Sequence, residues 1–332
     1  MATYSRAFDV DRSASLNARE ALIGEVQRGL LRRPRSLAPW MFYDACGSRL
    51  FERITQLPEY YPARIERHIL SSFAEPIIAA ASTGKSQSVR LLELGAGTAA
   101  KTDVLLDAIV RVQGGGLYIP MDISPEALSE ALERIAFRLP EVCVEPVVAN
   151  YVTHPPQIEP FDGTTLAIYI GSSIGNFSPE ESRTILKNLN SQLQVGDALL
   201  LGTDLVKDES TLVAAYDDTD GVTAAFNLNL LHRLNRELGA DFDTANFHHL
   251  ALWNRVESRI EMHLESTRTQ CVRIAAAHLD LHFEKGETIH TENSYKFTFE
   301  TIQILLEDAG FDVEQTWTDA SRWYAVTLAR IR

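Results

Sequence analysis

SVRLLELGAGTAAKTDVLLDAIV, residues 88–110, is the stretch that decides the fold. Val89 to Leu94 is apolar enough for a strand buried on both faces, and Asp103 to Val110 carries its apolar residues at helical spacing. Between them lies Gly95-Ala96-Gly97-Thr98. A strand that turns on glycines into a helix brings backbone N–H groups close to a ligand, because no Cβ holds the ligand away.

The same texture continues outward. GLYIPMDIS (116–124) reads as a second strand that closes on Asp122, and SPEALSEALERIAFRL (124–139) as a helix opened by a Ser-Pro cap. CVEPVVANY (143–151), TLAIYIGSS (165–173) and DALLLGTDLV (197–206) are three more short apolar runs, with the helix SPEESRTILKNLNSQL (178–193) before the last. Strands alternating with helices predict a parallel sheet covered on both faces. After Lys207 the alternation stops. GVTAAFNLNLLHRLNREL (221–238) is a long helix, and RIEMHLES, CVRIAAAHLDLHF and ETIHTENSYKF alternate with period two, as antiparallel strands do. The α/β pattern resumes in TFETIQILLEDAG (298–310), FDVEQTWTD and WYAVTLARI. Upstream, residues 13–32 and Arg64 to Ala81 read as helices separated by RRPRSLAPW.

The expected fold class is therefore α/β: a doubly wound, Rossmann-like core over residues 62–206, completed by 298–332. A second, α+β domain draws on residues 1–61 and the insertion 207–297. Open sheets of this kind bind ligands beyond the carboxyl ends of their strands, so the substrate is expected there, between the two domains.

Composition narrows the partners. The 332 residues carry a formal charge of -14. That surface repels phosphate backbones and anionic lipid, so neither nucleic acid nor membrane is an expected partner. Three scattered cysteines, Cys46, Cys143 and Cys271, make neither a disulfide framework nor a thiolate zinc site. His248-His249 has the look of a metal pair, but adjacent side chains diverge and no third ligand is evident, so no metal is expected. With charges throughout the first twenty residues and no long apolar run, the reading is a cytoplasmic protein, and a monomer.

The glycine turn alone is compatible with S-adenosylmethionine, with a dinucleotide, or with no ligand. Gly95-x-Gly97-x-x-Ala100 passes a loose dinucleotide fingerprint, and Asp122 stands where a ribose-binding acid belongs. Glu93 ahead of the turn and Lys101 behind it favour S-adenosylmethionine. Asn150-Tyr151 and Gly171-Ser172-Ser173 end further strands and suit an adenine and a methionine tail. The Asn150 amide can accept from adenine N6 and donate to N1.

FYDACGSRLFERITQLPEYYPARIE (42–66), LLELGAGTAAKT (91–102), GSSIGNFSPEE (171–181), LLGTDLVKD (200–208), AYDDTDGVTAAFN (215–227) and TENSYKF (291–297) together resemble the histidine Nα-methyltransferases of ergothioneine biosynthesis. The likeness runs in order from about Leu37 to Arg330 and includes the insertion. It implies three methyl transfers from S-adenosyl-L-methionine onto L-histidine, giving the betaine hercynine. It further implies that Gly95, Lys101, Asp122, Asn150 and Tyr151 hold the cofactor. Tyr60, Asn176, Tyr216, Glu292 and Ser294 would hold the amino acid, with Phe51 and Met262 as pocket walls. Tyr60, Asn176 and Tyr216 would orient the reacting amine. The chain departs from the family at Asn150-Tyr151, where the family has Asp-Phe, so a neutral amide replaces a charged acceptor. Related enzymes act on tryptophan derivatives, which leaves an aromatic amino acid N-methyltransferase as the alternative, and a non-catalytic S-adenosylmethionine-binding protein as a further one.

Glu292 and Ser294 are spaced i, i+2 in an expected strand and point to one face. Imidazole has two ring nitrogens for a carboxylate and a hydroxyl to engage, whereas indole has a single N–H, so the pair favours histidine.

Overall fold

Val89–Leu94 forms a strand buried at all six positions, paired in parallel with Gly116–Asp122 on one side and Thr164–Tyr169 on the other. It is the centre of the larger sheet in a computed structural model that describes residues 12–82, 88–151 and 157–332. The strand order across that sheet is Phe311–Thr318, Tyr324–Ile331, Ala198–Asp204, Thr164–Tyr169, Val89–Leu94, Gly116–Asp122, Val142–Val144. The order reverses at Val89–Leu94, and open sheets with such a switch bind their ligands at the carboxyl ends of the central strands.

Alternate residues of each strand face opposite layers. Leu91, Leu166, Ile168 and Leu200 pack with Ile69 and Ile77 of helix Tyr61–Ala81, Leu105 and Ile109 of helix Asp103–Gln113, and Ile135 of helix Pro125–Arg138. Leu92, Ala167, Leu199 and Leu201 pack the other way, against Ile185 and Leu186 of helix Pro179–Asn190 and Ile302 and Leu306 of helix Phe299–Asp308. Each buried aliphatic side chain contributes about 1.5–3 kcal/mol. Two helices begin on serine caps, the first as its Ser-Pro opening predicts. Ser124 Oγ accepts from Ala127 N–H at 3.2 Å, and Ser178 and Glu181 form a capping box.

Four of the elements read from the sequence take a different form, and strand Phe247–Asn254 and helix Ala45–Ile54 have no counterpart in that reading. WYAVTLARI runs antiparallel to both of its neighbours, because the turn from Asp319 to Trp323 is too short for a parallel crossover. CVEPVVANY splits into Val142–Val144 and Val147–Val148, since Pro146 has no N–H for the ladder. The helix expected from Arg64 begins at Tyr61, with Pro62 in its first turn. CVRIAAAHLDLHF is a hairpin of Gln270–Ile274 and Leu279–Phe283, turned by Ala275–Ala277 and by His278 in the left-handed region.

By contact density the chain forms two compact units. The unit just described comprises Thr55–Leu212, Trp253–Ile260 and Asn293–Arg332. The other comprises Met1–Ile54, Val213–Leu252 and Glu261–Glu292. In it, helix Arg12–Leu31 buries Leu22, Val26 and Leu30, and helix Val222–Leu238 buries Phe226, Leu230 and Leu234. Arg35–Ser36, Thr288–Tyr295, Arg259–Ser266 and Phe247–Asn254 follow one another in a four-stranded sheet. No helix among the described residues is long and apolar enough to cross a membrane.

Candidate active site

The glycine turn folds as its composition requires. Gly95 has φ +68°, and a Cβ there would stand 3.1 Å from the Tyr151 hydroxyl, so a side chain would be both strained and crowded. Asp122, half-buried at the end of its strand, fixes the turn. Its Oδ2 accepts from Gly97 N–H at 2.8 Å and its Oδ1 from Ser124 N–H at 2.9 Å. Ala149 N–H donates to the Asp122 carbonyl at 3.0 Å, which ties the Asn150-Tyr151 segment to the same place. Tyr151 meets Tyr169 edge to face, with ring centroids 5.7 Å apart. Gly95, Asp122 and Tyr151 are thus brought together, with Asn150 exposed beside them.

Lys101 is tied instead to the neighbouring strand end at Gly171, through a residue that sequence reasoning passed over. Its Nζ donates to Glu66 Oε2 at 2.9 Å. Glu66 is fully buried, and its Oε1 accepts from Gly171 N–H at 2.6 Å and from the Tyr324 hydroxyl at 2.5 Å. A Cβ on Gly202 would lie 2.3 Å from that oxygen, so the glycine in DALLLGTDLV makes room for Glu66. The signal was present, since Glu66 ends the long motif at 42–66, but its burial is not visible in a sequence. Glu93 has a parallel role beneath the turn. It accepts from Thr102 Oγ1 at 2.7 Å and from the Tyr118 hydroxyl, and burial pushes its carboxyl up to about 7 despite those bonds.

The expected substrate residues divide between the two units. Tyr60 caps helix Tyr61–Ala81, Asn176 ends the single turn Ser173–Asn176, and Ser294 sits near the end of strand Thr288–Tyr295; all three belong to the core unit. Ser172, which opens the turn before Asn176, has φ +55°. Tyr216, Met262, Phe51 and Glu292 belong to the other unit. Phe51 packs in an aromatic group with Tyr43 and Phe226, at 5.9 and 6.0 Å between centroids. Met262 is buried, and its carbonyl accepts from Thr291 Oγ1 at 3.0 Å. Glu292 and Ser294 are both buried, at 8% and 4% exposure, as residues on one face of a covered strand would be.

His249 lies under Tyr216. Its Nε2 stands 2.8 Å from the Tyr216 carbonyl, which can only accept, so Nε2 carries the hydrogen. Nδ1 then accepts from Asn227 Nδ2 at 2.8 Å, and burial keeps the ring neutral by lowering its pKa. The His248-His249 pair thereby has a structural use, in which His249 steadies the backbone that carries Tyr216.

A Rossmann-like sheet with a glycine turn, a strand-end acid and a single antiparallel strand defines the class of S-adenosylmethionine-dependent methyltransferases. A methyltransferase of that class from Clostridium acetobutylicum has the same fold, at a TM-score of 0.50 and 12% identity over 86% of this chain and 99% of that one. More particularly, residues 22–331 match the family described as "Histidine-specific methyltransferase, SAM-dependent", and the chain belongs to it. The chain is 45% identical to the histidine N-alpha-methyltransferase of Mycolicibacterium smegmatis over 95% of this chain and 97% of that protein. It is 41% identical to that of Mycobacterium tuberculosis, over 93% and 94%.

Proposed function

We propose that this protein transfers methyl groups from S-adenosyl-L-methionine to the α-amine of L-histidine, three times in succession, to give hercynine for ergothioneine biosynthesis. The observation that carries the reading is the buried pair Glu292 and Ser294 on one strand face, a carboxylate and a hydroxyl matched to the two imidazole nitrogens.

The residues present fit the nucleotide. Each Asp122 oxygen already bonded to a backbone N–H keeps a further lone pair, enough for the two ribose hydroxyls. Ile123, 54% exposed at the next position, offers an apolar surface for a purine face. Lys101, paired with Glu66, has two more N–H donors to direct at the methionine carboxylate. When bound, the sulfonium supplies a methyl group ready for direct displacement. The chain's own task is to hold the amine in line, about 3 Å from that carbon, and to keep water out. Tyr60, Asn176 and Tyr216 orient the amine. A nearby sulfonium and partial desolvation both disfavour ammonium, so no dedicated strong base and no metal is required. The protein acts in the cytoplasm as a monomer.

Incubation of L-histidine with the protein and S-adenosylmethionine, followed by mass spectrometry, is expected to show one, two and then three added methyl groups. Histidine returned without added mass would sink the reading.

A further inference from the structure

Asp204 ends the strand Ala198–Asp204 and is fully buried, yet the methyl transfer above gives it no task. Its carboxylate accepts from the Tyr61 hydroxyl at 2.8 and 3.0 Å, from Lys296 Nζ at 2.9 Å and from Lys207 Nζ. Its own N–H donates to Ser172 Oγ at 2.9 Å. Every one of these partners except Lys207 adjoins an expected substrate residue. Tyr61 follows Tyr60, Ser172 opens the turn that ends at Asn176, and Lys296 lies two residues beyond Ser294. Lys207 completes the cluster, with Nζ 4.3 Å from the centre of the Tyr61 ring.

Lys296 makes a second contact, donating from Nζ to Ser294 Oγ at 2.8 Å. Its side chain is fully buried, a position an ammonium holds only against a counter-charge, which Asp204 supplies. An ammonium has donors alone, so the serine oxygen is the acceptor in this bond and its O–H points along another line. We propose that Lys296, held by Asp204, is a positioning residue that fixes Ser294 as a hydrogen-bond donor, so that the site takes neutral imidazole in a single tautomer. One ring nitrogen donates to the Glu292 carboxylate, and the other accepts from the Ser294 hydroxyl. This inference rests on the proposed reading that histidine lies against Glu292 and Ser294. A doubly protonated ring needs two acceptors and is refused, and a thiophene ring of similar shape gains nothing from either group.

The test begins with the wild-type protein bound to S-adenosylhomocysteine and L-histidine labelled with ¹⁵N in both ring positions. At pH 7 the expected spectrum shows one protonated and one bare, hydrogen-bonded nitrogen; two protonated nitrogens would overturn the proposal. Kinetics then separate the roles. Ser294→Ala is expected to raise the KM for histidine by about tenfold, the effect of one lost hydrogen bond, and to leave 3-(2-thienyl)alanine almost unaffected. Lys296→Met should do the same, with cofactor affinity retained, and the double variant should be no worse than Ser294→Ala alone. Lys296→Arg keeps the charge beside Asp204 but not the line to Ser294, so it should fold and still show a raised histidine KM. That variant decides the matter if Lys296→Met does not fold. A wild-type histidine KM in Lys296→Arg, or effects that multiply in the double variant, would overturn the positioning role while the substrate reading stands. No change in Ser294→Ala would overturn both.

Discussion

Asp122 carries two backbone N–H bonds and, in the proposed reading, accepts from two ribose hydroxyls, so its loss would act on the turn and on the nucleotide together. Asp122→Ala is expected to weaken cofactor binding by roughly 1.5–3 kcal/mol per charged hydrogen bond removed. Calorimetry returning wild-type cofactor affinity would rule out the ribose role. In the proposed reading Glu292 acts on the other partner, the amino acid. A charge-assisted bond to imidazole lies away from the reacting amine, so Glu292→Ala should lower kcat/KM for histidine by roughly 2–4 kcal/mol and scarcely alter cofactor affinity. Rejection of larger aromatic amino acids should weaken too, because specificity is a difference of affinities. Equal losses across all amino acids would make Glu292 a structural residue. Both carboxylates could be picked out in the sequence, Asp122 by its place at a strand end and Glu292 through the family motif. Glu66 and Asp204 could not. Each lies in a quoted motif, but a buried carboxylate is recognised by the donors around it, and those come from residues as far away in sequence as Tyr324 and Lys296.

At the level of elements, the strand Ala198–Asp204 meets the surroundings of the candidate site at two points. Its end supplies Asp204, and its Gly202 leaves the space into which helix Tyr61–Ala81 places Glu66. Gly202→Ala would set a methyl against Glu66 and the Tyr324 hydroxyl. It is expected to cost about 1–3 kcal/mol in stability and to weaken cofactor binding by displacing the partner of Lys101. Thermal unfolding and calorimetry on the same variant check both, and an unchanged Tm would show that the helix moves away without cost. The strands and helices of the core were legible because burial on two faces and helical periodicity are local properties. What the sequence concealed was direction and breakage. The antiparallel course of Tyr324–Ile331 depends on the length of a turn, and the hairpin in CVRIAAAHLDLHF depends on His278 taking a conformation its neighbours do not announce. The four-stranded sheet draws on the two-residue strand Arg35–Ser36, too short to leave a periodic signal.

Across the whole molecule two buried charges set opposite trends of stability with pH. Burial, opposed by the bonds from Tyr118 and Thr102 and by Lys101, raises the Glu93 carboxyl from 4.5 to about 7. Between those values the folded protein keeps a proton that the unfolded chain has released, so stability falls as pH rises. Burial, opposed by Asp204, lowers Lys207 from 10.5 to about 8. From about 8 upward it is the unfolded chain that holds the extra proton, and stability rises with pH until 10.5. Each trend is worth on the order of 3 kcal/mol. The two together place the least favourable contribution near neutral pH, between the two titrations. Urea unfolding at pH 5, 7.5 and 10 is expected to show the least stability at the middle value, after allowance for the growing negative charge of a chain that already carries -14. Glu93→Gln keeps an acceptor for Thr102 and Tyr118 but has no proton to lose, so its stability should hold level from pH 5 to 7.5. Lys207→Met should remove the rise from pH 7.5 to 10 and leave the acid side as in the wild type. A Glu93→Gln protein that loses as much stability as the wild type between pH 5 and 7.5 would show that the proton is held elsewhere, and the carboxylate beneath the glycine turn would then be ionised throughout.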